Sequence, residues 1–295
     1  MTVFVTGATG FIGSYVVTNL LEHSDQNLLL LVRASCRRQA AHKLWKALQL
    51  HMQFDRFLHY LQHRIELVPG DLTAPELGLD PDLRLDLGRR IESIVHCAAS
   101  LNRKSAKACF NVNLRGTLSL AKLARAAHEH HGLRRLSEVS TTAVAGKREH
   151  ELVREEDAID WSRSDYDPYA RTKKFCEHML CELLPDVPLT IFRPSIVLGD
   201  SRFAETTQFD MAIAFAALAR TPVLPFDPDA RLDIVPADFV GRAIATIHLR
   251  GEPKHPVYHL SSGPASLSYK QIVTELRRQG YDHRPLFAPK LTKPA

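Results

Sequence analysis

Short apolar runs and amphipathic stretches alternate along the first 140 residues. Val3–Val5 is a brief apolar run, followed by a glycine-punctuated turn and the amphipathic stretch Ile12–Glu22. Leu28–Val32 is uninterruptedly apolar, the pattern of a strand buried on both faces of a parallel sheet. Gln39–Leu50 and Phe54–Leu61 read as helices, and Ile65–Val68, Ile94–His96 and Leu136–Val139 as further strands. The Ala-rich stretch Ser105–His130 reads as one long helix with a break near Asn111. Strand and helix in regular alternation predict an α/β fold built on a doubly wound parallel sheet with right-handed crossovers.

Beyond Ala143 the alternation loosens. Tyr169–Leu184 reads as a helix stopped by Pro185, and Leu189–Phe192 as a strand. A helix over Gln208–Arg220, the Pro-rich stretch Thr221–Pro228 and a helix over Ala237–Leu249 follow. Val257–Leu260 and Tyr269–Gln279 read as a last strand and helix, the latter stopped by Gly280. There is no internal repeat. The expected layout is a nucleotide-binding core over 1–200 and about 229–262, interleaved with a small C-terminal substrate-binding cap over about 200–228 and 262–295.

Composition narrows the class. With 45% hydrophobic and 24% charged residues in 295, the chain reads as an ordinary globular protein. Its longest apolar run, Met211–Ala219, is too short to span a bilayer, and no secretory signal is expected ahead of the first strand. Five cysteines without metal-ligand spacing point to reduced thiols in a cytoplasmic compartment and to no metal site. The net charge of +5 is local: Gln26–Phe54 holds five basic residues and no acid, and the rest of the chain is balanced at 33 of each sign. That distribution speaks against a nucleic-acid surface and for one anionic partner at one place.

The sharpest local signal is Thr6-Gly7-Ala8-Thr9-Gly10-Phe11-Ile12-Gly13, at the turn from the first strand into the first helix. Gly7 suits the tight turn, Gly10 a close backbone approach to a pyrophosphate, and Gly13 helix-on-strand packing, in the Rossmann manner. The helix N-terminus, with Thr9, Phe11 and Ile12 around it, presents free N–H groups to phosphates. At the end of the second strand, where an NAD enzyme usually carries an acid, stands Arg33. A guanidinium chelates a 2′-phosphate, so the expected cofactor is NADP(H), with Arg37 or Lys43 adding a second contact. Arg38 and Lys46 read as a solvated face. Asp71, followed by Leu72, is placed to bond the adenine amine; Ala98 and Ala99 leave room across the fourth strand's end. His96 reads as a packed or capping histidine, and Asn113 as a brace for the backbone near the site.

Tyr169 and Lys173 lie four residues apart on one helix face. A nearby ammonium and an oxidised nicotinamide both favour the phenolate and are expected to draw the tyrosine toward the working pH range. Lys173 would also hold the nicotinamide ribose, and Ser140-Thr141-Thr142 follows a strand where a hydroxyl can meet a substrate carbonyl. With these residues in place, the chain resembles an extended short-chain dehydrogenase/reductase from residue 1 to about 262. Within that superfamily it is similar to the thioester reductase and fatty acyl-CoA reductase (male-sterility-type) branch. Val32-Arg33-Ala34, Val139-Ser140-Thr141-Thr142, Arg193-Pro194-Ser195-Ile196-Val197-Leu198-Gly199-Asp200-Ser201 and Val235–Val240 carry that likeness. The resemblance implies a catalytic set of Thr141, Tyr169 and Lys173, and places Arg193, Pro194, Ser195 and Ile196 at the cofactor. It implies NADPH-dependent reduction of an acyl thioester, on coenzyme A or an acyl carrier protein, to aldehyde or alcohol. Two features depart from the branch: a short region after Asp200, and Arg202-Phe203-Ala204-Glu205 where a small Thr-Gly is usual.

Two other readings share the scaffold: a sugar-nucleotide or hydroxysteroid-type dehydrogenase or epimerase, and a non-catalytic NADP-sensing module. The Arg193–Ser201 segment argues against the first, and an intact Thr141, Tyr169 and Lys173 set against the second. His128, His130 and His131 are expected to face exposed carbonyls at a helix end rather than a metal. The Ala-rich helices offer a homodimer face, and tight helix–sheet packing accounts for their small residues equally well.

Overall fold

Seven parallel strands form the central sheet: β1 (Thr2–Thr6), β2 (Asn27–Val32), β3 (Ile65–Pro69), β4 (Ser93–His96), β5 (Arg135–Val139), β6 (Leu189–Pro194) and a last strand, Val257–Leu260. The computed structural model describes residues 1–148, 151–278 and 285–289, without the side chains of 210–212, 218 and 219. The order across the sheet is Val257–Leu260, β6, β5, β4, β1, β2, β3. The winding reverses between β1 and β4, which pair Val3 with Ser93 and Val5 with Val95. In such sheets ligands bind outside the carboxyl ends of the strands at this reversal. The expected site residues follow those ends directly, because Thr6, Val32, Pro69, His96, Val139 and Pro194 each close a strand.

The helices are α1 (Phe11–His23), α2 (Arg37–Leu48), α3 (Phe54–His63), α4 (Pro81–Arg90), α5 (Ala106–Cys109), α6 (Gly116–His131), α7 (Pro168–Leu183), α8 (Phe209–Arg220), α9 (Ala237–Leu249) and α10 (Tyr269–Arg278). Helix α4 is absent from the sequence reading. Its leucines, Leu83, Leu85 and Leu87, alternate like those of a strand, and only Leu87 of the three is buried. The start signal is present nonetheless: Asp80 accepts the Leu83 N–H at 2.9 Å and Pro81 opens the helix. The break expected near Asn111 is a π turn, Phe110–Arg115, that joins α5 to α6. The wider turn keeps the chain helical, and Asn113 lies buried within it.

One apolar cluster gathers Phe4, Leu29, Leu31, Ile94 and Leu136 from the strands with Leu87, Leu120, Leu123 and Leu180 from the helices. Each such leucine contributes ~1.5–3 kcal/mol on burial. Ala121, Ala124 and Ala127 of α6 belong to the same cluster, so packing accounts for the small residues on that helix face. Gly241 of α9 lies so close to Tyr15 of α1 that a Cβ would overlap the tyrosine's. The C-terminus of α9 is closed by Arg135, whose Nη1 donates to the carbonyls of His248 (2.8 Å) and Arg250 (2.7 Å). His128 closes α6 by accepting the Leu133 N–H at 3.1 Å.

The chain divides into two compact units, Met1–Pro194 with Asp238–Leu260, and Ser195–Ala237 with Ser261–Ala295. The sequence reading puts 229–237 in the core; it belongs to the second unit. Pairing is the reason: Arg231–Leu232 runs antiparallel to Leu267–Ser268, and Ile234–Val235 pairs with Ile196–Val197. The second unit also stacks Phe226 on Tyr269 at 4.6 Å. Gln279 and Gly280, the expected end and stop of the last helix, lie outside the described residues. Among the described residues no helix is long and apolar enough to cross a membrane.

Candidate active site

The turn after β1 is shaped by its glycines. Gly7 has φ 77°, a left-handed conformation, and a Cβ there would sit 2.6 Å from the Ala98 nitrogen. At Gly13 a Cβ would run into the Gly7 carbonyl, so helix and strand meet only because both positions lack side chains. The Gly10 N–H donates to Gly7 O at 2.8 Å and closes the turn. No side chain caps α1, and its first turn holds no acid. The uncapped N–H groups and positive helix end suit a diphosphate. Thr9 and Gly10 are exposed, Phe11 and Ile12 half-buried, and Ala98 donates its N–H to Thr6 Oγ1 at 3.3 Å.

Beside this cradle, Arg33, Ser35, Gln39 and Lys43 line a cavity of about 500 Å³ with Gly70 and Asp71. Lys43 Nζ donates to the Arg33 carbonyl at 2.6 Å, fixing the backbone where β2 ends. The Arg33 side chain is exposed, and among the described residues no carboxylate pairs with it. Asp71 Oδ1 accepts from the Thr73 N–H and hydroxyl, both at 2.8 Å, which orients the carboxylate within its turn. Leu72 packs against Gly116 at the start of α6.

Tyr169 and Lys173 stand one turn apart near the start of α7, where Asp167 caps the helix through the Ala170 N–H at 2.8 Å. Both are buried. Thr141 follows β5, and its Oγ1 accepts the Ala143 N–H at 3.2 Å. Asn113 braces the backbone as expected: its Oδ1 accepts the Ser100 N–H at 2.7 Å and its Nδ2 donates to Thr172 Oγ1 at 3.0 Å. His96 is buried between the hydroxyls of Thr6 (2.5 Å) and Thr117 (3.0 Å). Burial, and next the Lys173 charge, hold its imidazole down to about 3, so it is neutral.

Three features escape the sequence reading. Glu138 of β5 accepts a hydrogen bond from Lys173 Nζ, an ion pair with almost no exposed surface. Glu177 of α7 grips Arg193 through Nη2 (2.7 Å) and Nε (3.1 Å), and Ser140 donates to the same carboxylate. Arg103 lies 6.0 Å from the Tyr169 ring centre and 3.5 Å from Asp167. A signal for the first was present: a glutamate inside the strand Arg135–Val139, every residue of which is buried.

Two expectations change. The Arg193 guanidinium is occupied by Glu177 in the interior and is not free for a cofactor; the expectation for Pro194, buried beside it in β6, and for Ser195 and Ile196 is unchanged. The Tyr169 phenol is held above its usual value, not drawn down. Burial raises it, Lys173 and Arg103 oppose that rise, and Glu138 and Asp167 add to it.

A glycine-shaped turn at the sheet's reversal, an open cavity at the end of β2 and a buried Tyr/Lys pair define a domain of the extended short-chain dehydrogenase/reductase class. The chain belongs to the family described as Male sterility protein, whose model matches residues 5–244. The linear gramicidin synthase of Brevibacillus parabrevis is 29% identical over 94% of the chain, which spans 5% of that protein. Glycine betaine reductase ATRR of Emericella nidulans is 27% identical over 97% of the chain and 23% of its own length. The chain thus spans a small part of these curated relatives. Among solved structures, the terminal R domain of the myxalamid PKS-NRPS biosynthetic pathway matches with a TM-score of 0.87 and 28% identity, over 97% of this chain and 72% of that one.

Proposed function

We propose that this domain reduces an acyl thioester, held on a carrier protein or on coenzyme A, to an aldehyde or alcohol with NADPH. The observation that carries the reading is the buried Tyr169 and Lys173 pair, at the same carboxyl edge of the sheet as the glycine cradle and Thr141. The cradle fits a dinucleotide, because Gly7 and Gly13 leave no space for a side chain and α1 begins uncapped. Arg33 favours NADP over NAD: it lines the cavity with no carboxylate paired to it among the described residues, and paired N–H donors match a phosphate. A bound nicotinamide dinucleotide supplies hydride.

The remaining work falls to the chain's own groups. Gly7, Thr9, Gly10, Phe11, Ile12 and Gly13 admit the diphosphate to the α1 N-terminus, and Arg33 with Lys43 receives the ribose phosphate. Asp71 and Leu72 border the adenine, and Ala98 and Ala99 keep the strand end low. Lys173 holds the nicotinamide ribose with ammonium protons that Glu138 leaves free. Thr141 donates a hydrogen bond to the substrate carbonyl oxygen, and Tyr169, a neutral phenol, gives that oxygen its proton. The PKS-NRPS pathway that holds the matching R domain supports a carrier-bound thioester ahead of coenzyme A. Five free thiols fit a reducing, cytoplasmic setting.

The test follows NADPH oxidation with carrier-bound acyl thioesters, acyl-CoAs, aldehydes and nucleotide sugars side by side. Turnover is expected with thioesters and aldehydes. Turnover confined to nucleotide sugars, or NADPH binding without any turnover, would overturn the reading.

A further inference from the structure

Glu138 lies three residues before Thr141 on β5, fully buried, with Oε1 on the Lys173 ammonium. Its other oxygen, Oε2, is buried and has no hydrogen-bond partner among the described residues. A carboxylate in such a place is costly unless a cation answers it, and an ammonium there is costly for the same reason. Neither charge is present by accident of the surface. Burial pushes the Glu138 carboxyl up, against the opposing pull of Lys173. Burial would lower Lys173, yet Glu138, with Cys176 and Tyr169 adding to it, more than offsets that loss and holds the ammonium above its ordinary value.

The groups that face Tyr169 close into a balanced set. Lys173 from α7 and Arg103 from the loop after β4 are positive; Glu138 from β5 and Asp167 ahead of α7 are negative. Three further titratable groups near the pair, His96, Cys97 and Cys176, carry no charge at neutral pH, and Lys174, the next residue on α7, is paired with Asp165 at 2.8 Å. His96 is held down to about 3, and burial pushes the Cys97 and Cys176 thiols up to about 12 and about 11. Glu177, the next acid on α7, is already occupied by Arg193 and Ser140. Lys173 therefore does not act on the phenol as a lone cation.

We propose that Glu138 is a positioning residue of the reduction: it anchors the Lys173 ammonium and cancels its charge, so that Tyr169 works as a neutral, proton-donating phenol. This rests on the reductase reading above. In the step it serves, the Tyr169 O–H bond breaks and a new O–H bond forms at the substrate carbonyl oxygen, whose carbon takes hydride supplied by NADPH. Water then returns a proton to the phenolate. An ammonium has three protons, and the one given to Glu138 leaves two for a ribose. A rigid strand holding one side of the ammonium fixes where the other two point. The arrangement favours carbonyl reduction over alcohol oxidation near neutral pH, since oxidation needs the phenolate at the start.

The experiment is an ultraviolet difference titration of the cofactor-free protein, with Tyr169 isolated by subtracting the Tyr169→Phe variant. In Glu138→Gln the amide keeps an acceptor for Lys173 and loses the charge. Its Tyr169 midpoint is expected to fall by about one pH unit or more, a shift of the size nearby charges produce. The alkaline limb of NADPH-dependent aldehyde reduction should move the same way. An unchanged midpoint, or activity lowered equally at every pH with the limb in place, would overturn the proposal. Should Glu138→Gln fail to fold, Glu138→Leu with Lys173→Met removes both charges together, a replacement buried pairs commonly tolerate. The proposal expects that double variant to titrate near wild type; a rise of about one unit or more would show Lys173 acting uncompensated. The titration needs neither substrate nor NADPH, so a failure of the reductase reading leaves it interpretable.

Discussion

The sequence reading places both Arg33 and Arg193 at the cofactor, and the fold separates them. Arg33 closes β2 in the open, lining a cavity, with no protein carboxylate paired to it among the described residues. Arg193 closes β6 in the interior, bound by both oxygens of Glu177. The residue type is common to both; what differs is whether the protein itself supplies the anion. A desolvated guanidinium with its own carboxylate is structural, and one facing a cavity with no carboxylate paired to it keeps its paired donors free for an anion, the role proposed above for Arg33.

That contrast breaks most visibly at the buried end. Arg193→Ala leaves the Glu177 carboxylate uncompensated and is expected to lower folding stability by ~3–5 kcal/mol in urea unfolding. Arg193→Met combined with Glu177→Leu should recover most of the loss; a single variant as stable as wild type would deny the pair its structural role. Arg33→Ala is expected to leave stability unchanged. It should raise the KM for NADPH by roughly ten- to a hundredfold, the worth of hydrogen bonds to a charged group. The KM for NADH should hardly move, and equal losses for both would remove the phosphate from the argument.

The smallest effect is a pH slope. The folded His96 titrates near about 3 and an unfolded histidine near 6.5, so the unfolded chain takes up the proton first on acidification. Stability present at neutral pH is therefore lost as pH falls through that window, at about 1.4 kcal/mol per pH unit for this residue. Unfolding free energies of wild type and His96→Asn, compared between about pH 6 and pH 4, should diverge by that slope. Parallel lines would show that the imidazole is charged in the folded protein.

Much of the candidate site was legible because its signals are local. The glycines at 7, 10 and 13 specify a turn within one helical period, and Tyr169 and Lys173 meet on one helix face whatever surrounds them. Leu28–Val32 announces a strand buried on both sides for the same reason. Helix α4 was masked by leucines at strand-like spacing, and the expected break at Asn111 is a π turn that carries Asn113 inward. The neighbour in sequence, Lys173, draws the Tyr169 phenol down as read, but burial, which only the packed fold imposes, raises it more, and Glu138 on another element adds to the rise.

The sequence by itself determined the α/β alternation, the glycine cradle, the cation at the end of β2 and the helical spacing of the phenol and ammonium. These follow from backbone sterics and from periodicities of two and 3.6 residues, which act over a few positions. Only the tertiary structure decided which carboxylate answers each buried cation. Glu138 meets Lys173 across 35 residues and Glu177 meets Arg193 across 16, both between a strand and a helix. Such partners are set by sheet register and helix docking, and burial then makes the pairing energetically decisive.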